Sequence, residues 1–232
     1  MTRTAVIAGV GPGLGKSIAK RFIEEGCQVG LFARSEEYLE GLSAELGEEA
    51  LAVPADVTDP AAVEAGFEAV RSAFGPVDVL VNHASGASWK GIREISPDSF
   101  ESAWRVSAYG GLLCSQAALP DMLENGDGTV IFTGATSAIR GRDGAVGFSA
   151  AKFAVRGMAE SMARELGPEG IHVAHVVVDG GILPPEGASG TGRDEEEFLD
   201  PDAIADSYWH LVTQDRSSWT LEMDLRPHVE AF

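Results

Sequence analysis

Seven residues near the start of the chain, Gly9-Val10-Gly11-Pro12-Gly13-Leu14-Gly15, carry the strongest chemical signal in the sequence. They follow an apolar run, Thr4–Gly9, that reads as a buried strand, and they open a helical pattern over Gly13–Glu25. Gly9 permits a tight turn, Gly13 leaves room for a pyrophosphate, and Gly15 lets helix and strand approach. The helix N-terminus adds backbone N–H groups and positive potential for phosphates. The plain alternative is a glycine-rich turn without a ligand. Four glycines after a buried strand argue against it.

A second signal stands at the end of the next strand, Gln28–Ala33. A carboxylate there would take the ribose 2′-OH of NAD. The sequence instead has Ala33-Arg34-Ser35. An arginine can grip a 2′-phosphate through paired, charge-assisted hydrogen bonds. The expectation is a dinucleotide site that prefers NADP(H), with NAD(H) possible. A solvated arginine at a strand end is the competing role.

The elements that must position these residues alternate along the whole chain. Helix Glu36–Leu46 follows the second strand, then strand Ala50–Pro54. Asp59-Pro60 opens a helix, with Asp as cap and Pro in the first turn. Strand Val77–Asn82 precedes a long helix from Ser96-Pro97 to about Leu123. Strands Thr129–Thr133 and Ile171–Val178 flank a helix from about Ala145 to Leu166. A helix from Asp202 to about Thr213 and a strand around Trp219–Leu225 finish the chain. Val, Ile and Leu fill these strands without polar alternation, as in strands buried on both faces of a parallel sheet. The order predicts one α/β domain over 1–232, a doubly wound Rossmann fold of about seven strands with helices on both faces. Leu183–Asp200 breaks the pattern and reads as a substrate lid.

Composition narrows the function classes. The 232 residues are 44% hydrophobic, enough for a sizeable core, and no apolar run reaches the length a bilayer demands. Cys27 and Cys114 make no metal or disulfide framework, and no metal site is expected. The first strand starts at Thr4, which leaves no room for a targeting peptide, so a cytoplasmic protein is expected. Asp and Glu number 36 against 17 Lys and Arg, for a net charge of -19. Such a surface disfavours nucleic acid and anionic membranes as partners. Dispersed acid with four lysines is similar to the surfaces of proteins from salt-loving organisms, where salt screens self-repulsion. The unfolding midpoint is therefore expected to rise between low and molar KCl; a flat or falling midpoint would refute this.

Taken together, the motifs resemble the short-chain dehydrogenase/reductase family over essentially the whole chain. Asp56-Val57 looks like the pair that contacts adenine, and Asn82-His83-Ala84-Ser85 like that family's Asn-Asn-Ala-Gly. Asp179-Gly180 sits where the family has Pro-Gly. The resemblance implies cofactor contacts at Gly9, Gly11, Pro12, Gly13, Leu14, Gly15, Arg34, Asp56, Val57, Asn82, Ala84, Lys152, Gly180 and Ile182. It also implies paired long helices across two-fold axes, hence a homodimer or homotetramer. Leu112, Leu113 and Met158 are apolar positions that permit this, and a core role suits them nearly as well.

The family's catalytic pattern fails here. Its Tyr-x-x-x-Lys places both side chains on one helix face, with Tyr as acid/base and Lys lowering its pKa. In Phe148-Ser149-Ala150-Ala151-Lys152 the lysine is present and the tyrosine is Phe148. Spacing puts Ala135 at the serine position, and Ser107 at the position of the long-helix asparagine. Thr136 and Ser137 directly follow Ala135, and a one-residue shift would bring either hydroxyl to a substrate. Loop hydroxyls of this kind more often satisfy local backbone. His83 is a further proton-shuttle candidate, with a structural histidine as the alternative. His175 reads as a core residue and Tyr109 as packing. Arg140 and Arg142 lie in a loop that borders substrate in the family and could hold a carboxylate or phosphate.

Ala145–Arg156 and Trp219–Pro227 resemble an atypical branch with Phe in the tyrosine position. Two functions fit these residues. One is an NADP(H)-dependent oxidoreductase with a rebuilt proton relay, acting on a carbonyl, alcohol or enone-like small molecule. The other is an inactive NADP(H)-binding sensor or partner subunit. A third, a scaffold without cofactor, conflicts with the intact glycine turn, Arg34, Asp56, Asn82 and Lys152.

Overall fold

In the computed structural model, which describes residues 2–185 and 194–230, the seven strands β1 (Thr4–Ala8), β2 (Gln28–Ala33), β3 (Ala50–Pro54), β4 (Val79–Asn82), β5 (Gly128–Thr133), β6 (Ile171–Val178) and β9 (Glu222–Leu225) form one parallel sheet in the order β3-β2-β1-β4-β5-β6-β9. Every pairing is parallel. A short separate ladder joins β7 (Gly181–Ile182) to β8 (Phe198–Leu199). The helices are α1 (Leu14–Glu24), α2 (Glu36–Leu46), α3 (Pro60–Phe74), α4 (Pro97–Trp104), α5 (Gly110–Asn125), α6 (Val146–Leu166) and α7 (Pro201–Val212).

Strand alternation builds two cores, because successive side chains point to opposite faces. Ala5 and Ile7 of β1 join Ile18 and Phe22 of α1 and Tyr208 of α7 on one face. Val6 and Ala8 join Phe67 and Val70 of α3 and Met122 of α5 on the other. Both faces are therefore covered, and β1, β5 and β6 are buried along their whole length. The caps read from the sequence form as expected. Asp59 accepts from the Ala61 N–H at 3.0 Å, and Ser96 Oγ from the Ser99 N–H at 3.2 Å.

Three expectations need correction. The long helix from Ser96-Pro97 runs to Asn125 but is not α-helical throughout: a single π-helical turn, Arg105–Tyr109, lies between α4 and α5. Its Ser107 is buried and accepts a hydrogen bond from the Gly86 N–H at 3.1 Å, so the wider turn is tied to the loop after β4. The final strand begins at Glu222, because Arg216–Ser218 forms a 3-10 turn before it. Within Leu183–Asp200, Phe198–Leu199 pairs with Gly181–Ile182; residues 186–193, the middle of the expected lid, lie outside the described residues. Leu112 is exposed, whereas Leu113 and Met158 pack against the second core. Cys27 and Cys114 are buried free thiols, pushed up to about 11 and about 12 by burial. No helix among the described residues is long and apolar enough to cross a membrane.

Candidate functional site

The strand order reverses between β1 and β4, and a cleft of about 890 Å³ opens at the carboxyl ends of the strands there. Open α/β sheets bind ligands at this switch point. The loop after each strand contributes one wall.

The glycine turn forms the first. Gly9 has φ +104, and a Cβ there would lie 2.4 Å from the Ala84 backbone. Only glycine fits both the left-handed backbone and that approach. A Cβ at Gly15 would come within 3.0 Å of Val10 Cα, which is the close helix–strand approach read from the sequence. Gly9, Gly11 and Pro12 line the cleft, as does Val10; Gly13 lines an adjoining groove beside Lys16 and Ser17. Leu14 and Gly15 are instead buried in α1.

Arg34 follows β2 and lines the same cleft with Asp56 and Val57 from the loop after β3. Asp56 Oδ1 accepts from the Thr58 N–H at 2.9 Å and from Thr58 Oγ1 at 2.8 Å. The backbone hydrogen bond is the main cause that holds its carboxyl below the usual range; the nearby Arg34 and Arg105 guanidinium groups act in the same direction. Asn82 Oδ1 has no hydrogen-bond partner among the described residues. The side chain is buried and turns to α5, donating from Nδ2 to Ser115 Oγ at 3.1 Å. Ala84, two residues on, does line the cleft.

Lys152, Phe148 and Ala135 all border the opposite end. Lys152 is 3% exposed, donates from Nζ to the Thr133 carbonyl at 2.8 Å, and sits 5.6 Å from the Phe148 ring centroid. Burial lowers its pKa from 10.5 to about 8. Thr136 and Ser137, the replacement hydroxyls, both line the cleft, and they differ in their partners. Thr136 Oγ1 donates to Asp179 Oδ1 at 2.5 Å. Ser137 is fully buried, and its Oγ has no partner among the described residues. Ser107 supports the Gly86 loop and does not line the cleft. Gly180 and Ile182 do line it.

His83 is set by a chain of hydroxyls drawn from β5 and α7. The Tyr208 hydroxyl, fully buried, lies 2.9 Å from Thr133 Oγ1, which lies 3.1 Å from His83 Nδ1. A buried hydroxyl proton without an acceptor costs about 1–3 kcal/mol. Tyr208 therefore donates to Thr133, and Thr133 donates to Nδ1, which leaves the proton of neutral His83 on Nε2. Burial, then the Lys152 charge, pulls the His83 pKa from 6.5 down to about 4, so the ring is neutral at pH 7.

Trp89 and the role of Asp179 escaped sequence reading. Trp89, in the loop after β4, lines the cleft and packs 4.8 Å from the Phe148 ring. Nothing periodic marks it. Asp179, fully buried, accepts from Arg140 at 3.1 Å as well as from Thr136, so Arg140 is committed while Arg142 lines the cleft. His175 is buried with Nδ1 3.0 Å from Glu222 Oε2, and Tyr109 stacks on Trp104, as expected of packing residues.

The fold and the cleft define a Rossmann-type dinucleotide-binding domain. The sequence matches the short chain dehydrogenase family over residues 3–185. An oxidoreductase of Sarocladium schorii, asL5, is 34% identical over 171 residues, 74% of this chain and 69% of that one. Among solved structures, a 3-ketoacyl-(acyl-carrier-protein) reductase from Brucella melitensis complexed with NADH is 30% identical, with TM-score 0.88 over 97% of both chains. A metagenomic short-chain oxidoreductase in complex with NADP is 26% identical, with TM-score 0.83 over 98% of both. The chain belongs to the short-chain dehydrogenase/reductase family and is an oxidoreductase of that type.

Proposed function

We propose that this chain is an NADP(H)-dependent oxidoreductase of an atypical branch, with a proton relay that lacks the family's serine and tyrosine. The observation that carries the cofactor choice is Arg34. It borders the cleft at the end of β2, no carboxylate flanks it in sequence, and it makes no ion pair among the described residues. The glycine turn suits the pyrophosphate, and the Lys152 ammonium suits a ribose hydroxyl. The dinucleotide, when bound, supplies hydride. With Phe148 and Ala135 at the cleft, the usual acid and its serine partner are missing, which favours an acceptor that can stabilise its own anion. Enones and quinones do so.

Calorimetric titration tests the cofactor choice. NADP+ is expected to bind more tightly than NAD+, and Arg34→Ala to weaken NADP+ by roughly tenfold or more while leaving NAD+ unchanged. Tighter binding of NAD+ would overturn it.

Phe148 with Ala135 also favours a second reading, an inactive NADP(H)-binding protein. Single-turnover oxidation of bound NADPH against enones and quinones separates the two. Absence of substrate-dependent oxidation leaves the binder.

A further inference from the structure

Resting on that reading, we propose that the substrate end of the cleft takes a planar, conjugated carbonyl compound bearing a carboxylate, held by Arg142 beside the Trp89–Phe148 ring pair. Four side chains form one wall in the order cation, ring, ring, cation. Lys152 Nζ lies 5.6 Å from the Phe148 centroid, the Phe148 and Trp89 rings are 4.8 Å apart, and Arg142 Cζ is 6.0 Å from the Trp89 centroid. All four line the cleft. Trp89 is 60% exposed, a large indole left open at the mouth of a site.

Ring faces recognise flat conjugated molecules through offset stacking and area burial. The cation specifies charge. Its neighbour Arg140 is taken by Asp179 at 3.1 Å, but Arg142 makes no ion pair among the described residues, although Asp143 follows it in the chain. In a chain of net charge -19, Arg142 joins Arg34 as a guanidinium that lines the cleft without an ion pair among the described residues. A planar guanidinium beside an indole suits a carboxylate on the ligand, which it binds through two parallel N–H donors.

This ligand class also meets the chemical demand of the site. The reduced dinucleotide, when bound, would supply hydride to the carbon β to the carbonyl. The C=C pair shifts so that the carbonyl oxygen becomes an enolate, which takes its proton from water in the open cleft. One NADPH and one proton are consumed for each acceptor reduced.

The probes are 2-naphthoate and neutral 2-naphthamide, both inert to hydride, titrated calorimetrically with and without NADP+. Wild type is expected to bind the naphthoate roughly tenfold or more tightly than the amide. Arg142→Gln should erase that preference while leaving the amide unchanged, and Trp89→Ala should weaken both. Equal binding of the two probes, failure of both to bind, or an equal loss of both in Arg142→Gln overturns the proposal. NADP+ titration of the same samples separates the two readings. NADP+ bound without carboxylate preference defeats this inference alone, whereas NADP+ unbound defeats the cofactor reading.

Discussion

Replacing Phe148 by Tyr and Ala135 by Ser in one chain is expected to raise single-turnover ketone reduction by NADPH roughly 10²–10⁴-fold, the contribution of a positioned general acid. Phe148 and Lys152 are four residues apart on α6 and share a face, with Lys152 Nζ already 5.6 Å from the ring centroid. A hydroxyl on that ring would stand near a buried ammonium, which favours the phenolate and brings its pKa toward neutrality. Ala135 borders the same cleft, so a serine hydroxyl there would polarise a carbonyl oxygen. Neither side chain is needed by the core beneath the cofactor turn. A double variant that folds and binds NADPH but reduces no ketone would show that this cleft is not arranged around the family's reacting centre. Wild type should retain its advantage only on acceptors that stabilise their own anion.

Lys152→Met is expected to separate binding from stability in opposite directions. Lys152 is 3% exposed and has one hydrogen-bond partner among the described residues, the Thr133 carbonyl at 2.8 Å. Burial lowers its pKa from 10.5 to about 8. Between those values the unfolded chain holds a proton that the folded chain has released. Stability contributed by this residue therefore rises with pH from about 8 to 10.5, and below pH 8 the full cost of burying the ammonium is present. A fall from 10.5 to about 8 corresponds to about 3 kcal/mol. Methionine removes that cost and loses one hydrogen bond, so the cofactor-free variant should gain roughly 1–2 kcal/mol at pH 7 in urea unfolding. Its stability should also lose the rise above pH 8. Affinity for NADP+ should fall by roughly tenfold or more, because the ammonium donor is gone. A lower urea midpoint at pH 7, or unchanged affinity, would contradict this account.

The experiments on Phe148 and Lys152 concern residues that were legible at once, since both lie in a helix at a fixed spacing. Residues committed across the sheet were not. Thr136 reads from sequence as a loop hydroxyl with local partners, whereas the structure bonds it to Asp179, 43 positions away. Arg140 and Arg142 looked equivalent, and only the buried Asp179 distinguished them. The bond from Asn82 Nδ2 to Ser115 on α5 spans 33 positions and was equally illegible. The π-helical turn at Arg105–Tyr109 and the place of Trp89 left no periodic trace.

By itself the sequence determined the sheet, the glycine turn and the missing catalytic pair. Continuous apolar runs, 3.6-residue periodicity and a glycine at positive φ are local properties of the chain, and they repeat along it with consistent order. The tertiary structure decided which polar groups remain free to act. Hydrogen bonds such as Tyr208 to Thr133, 75 residues apart, depend on which strands become neighbours. A side chain's chemistry is available to a ligand only when no such partner has claimed it, and that is settled by packing across the fold.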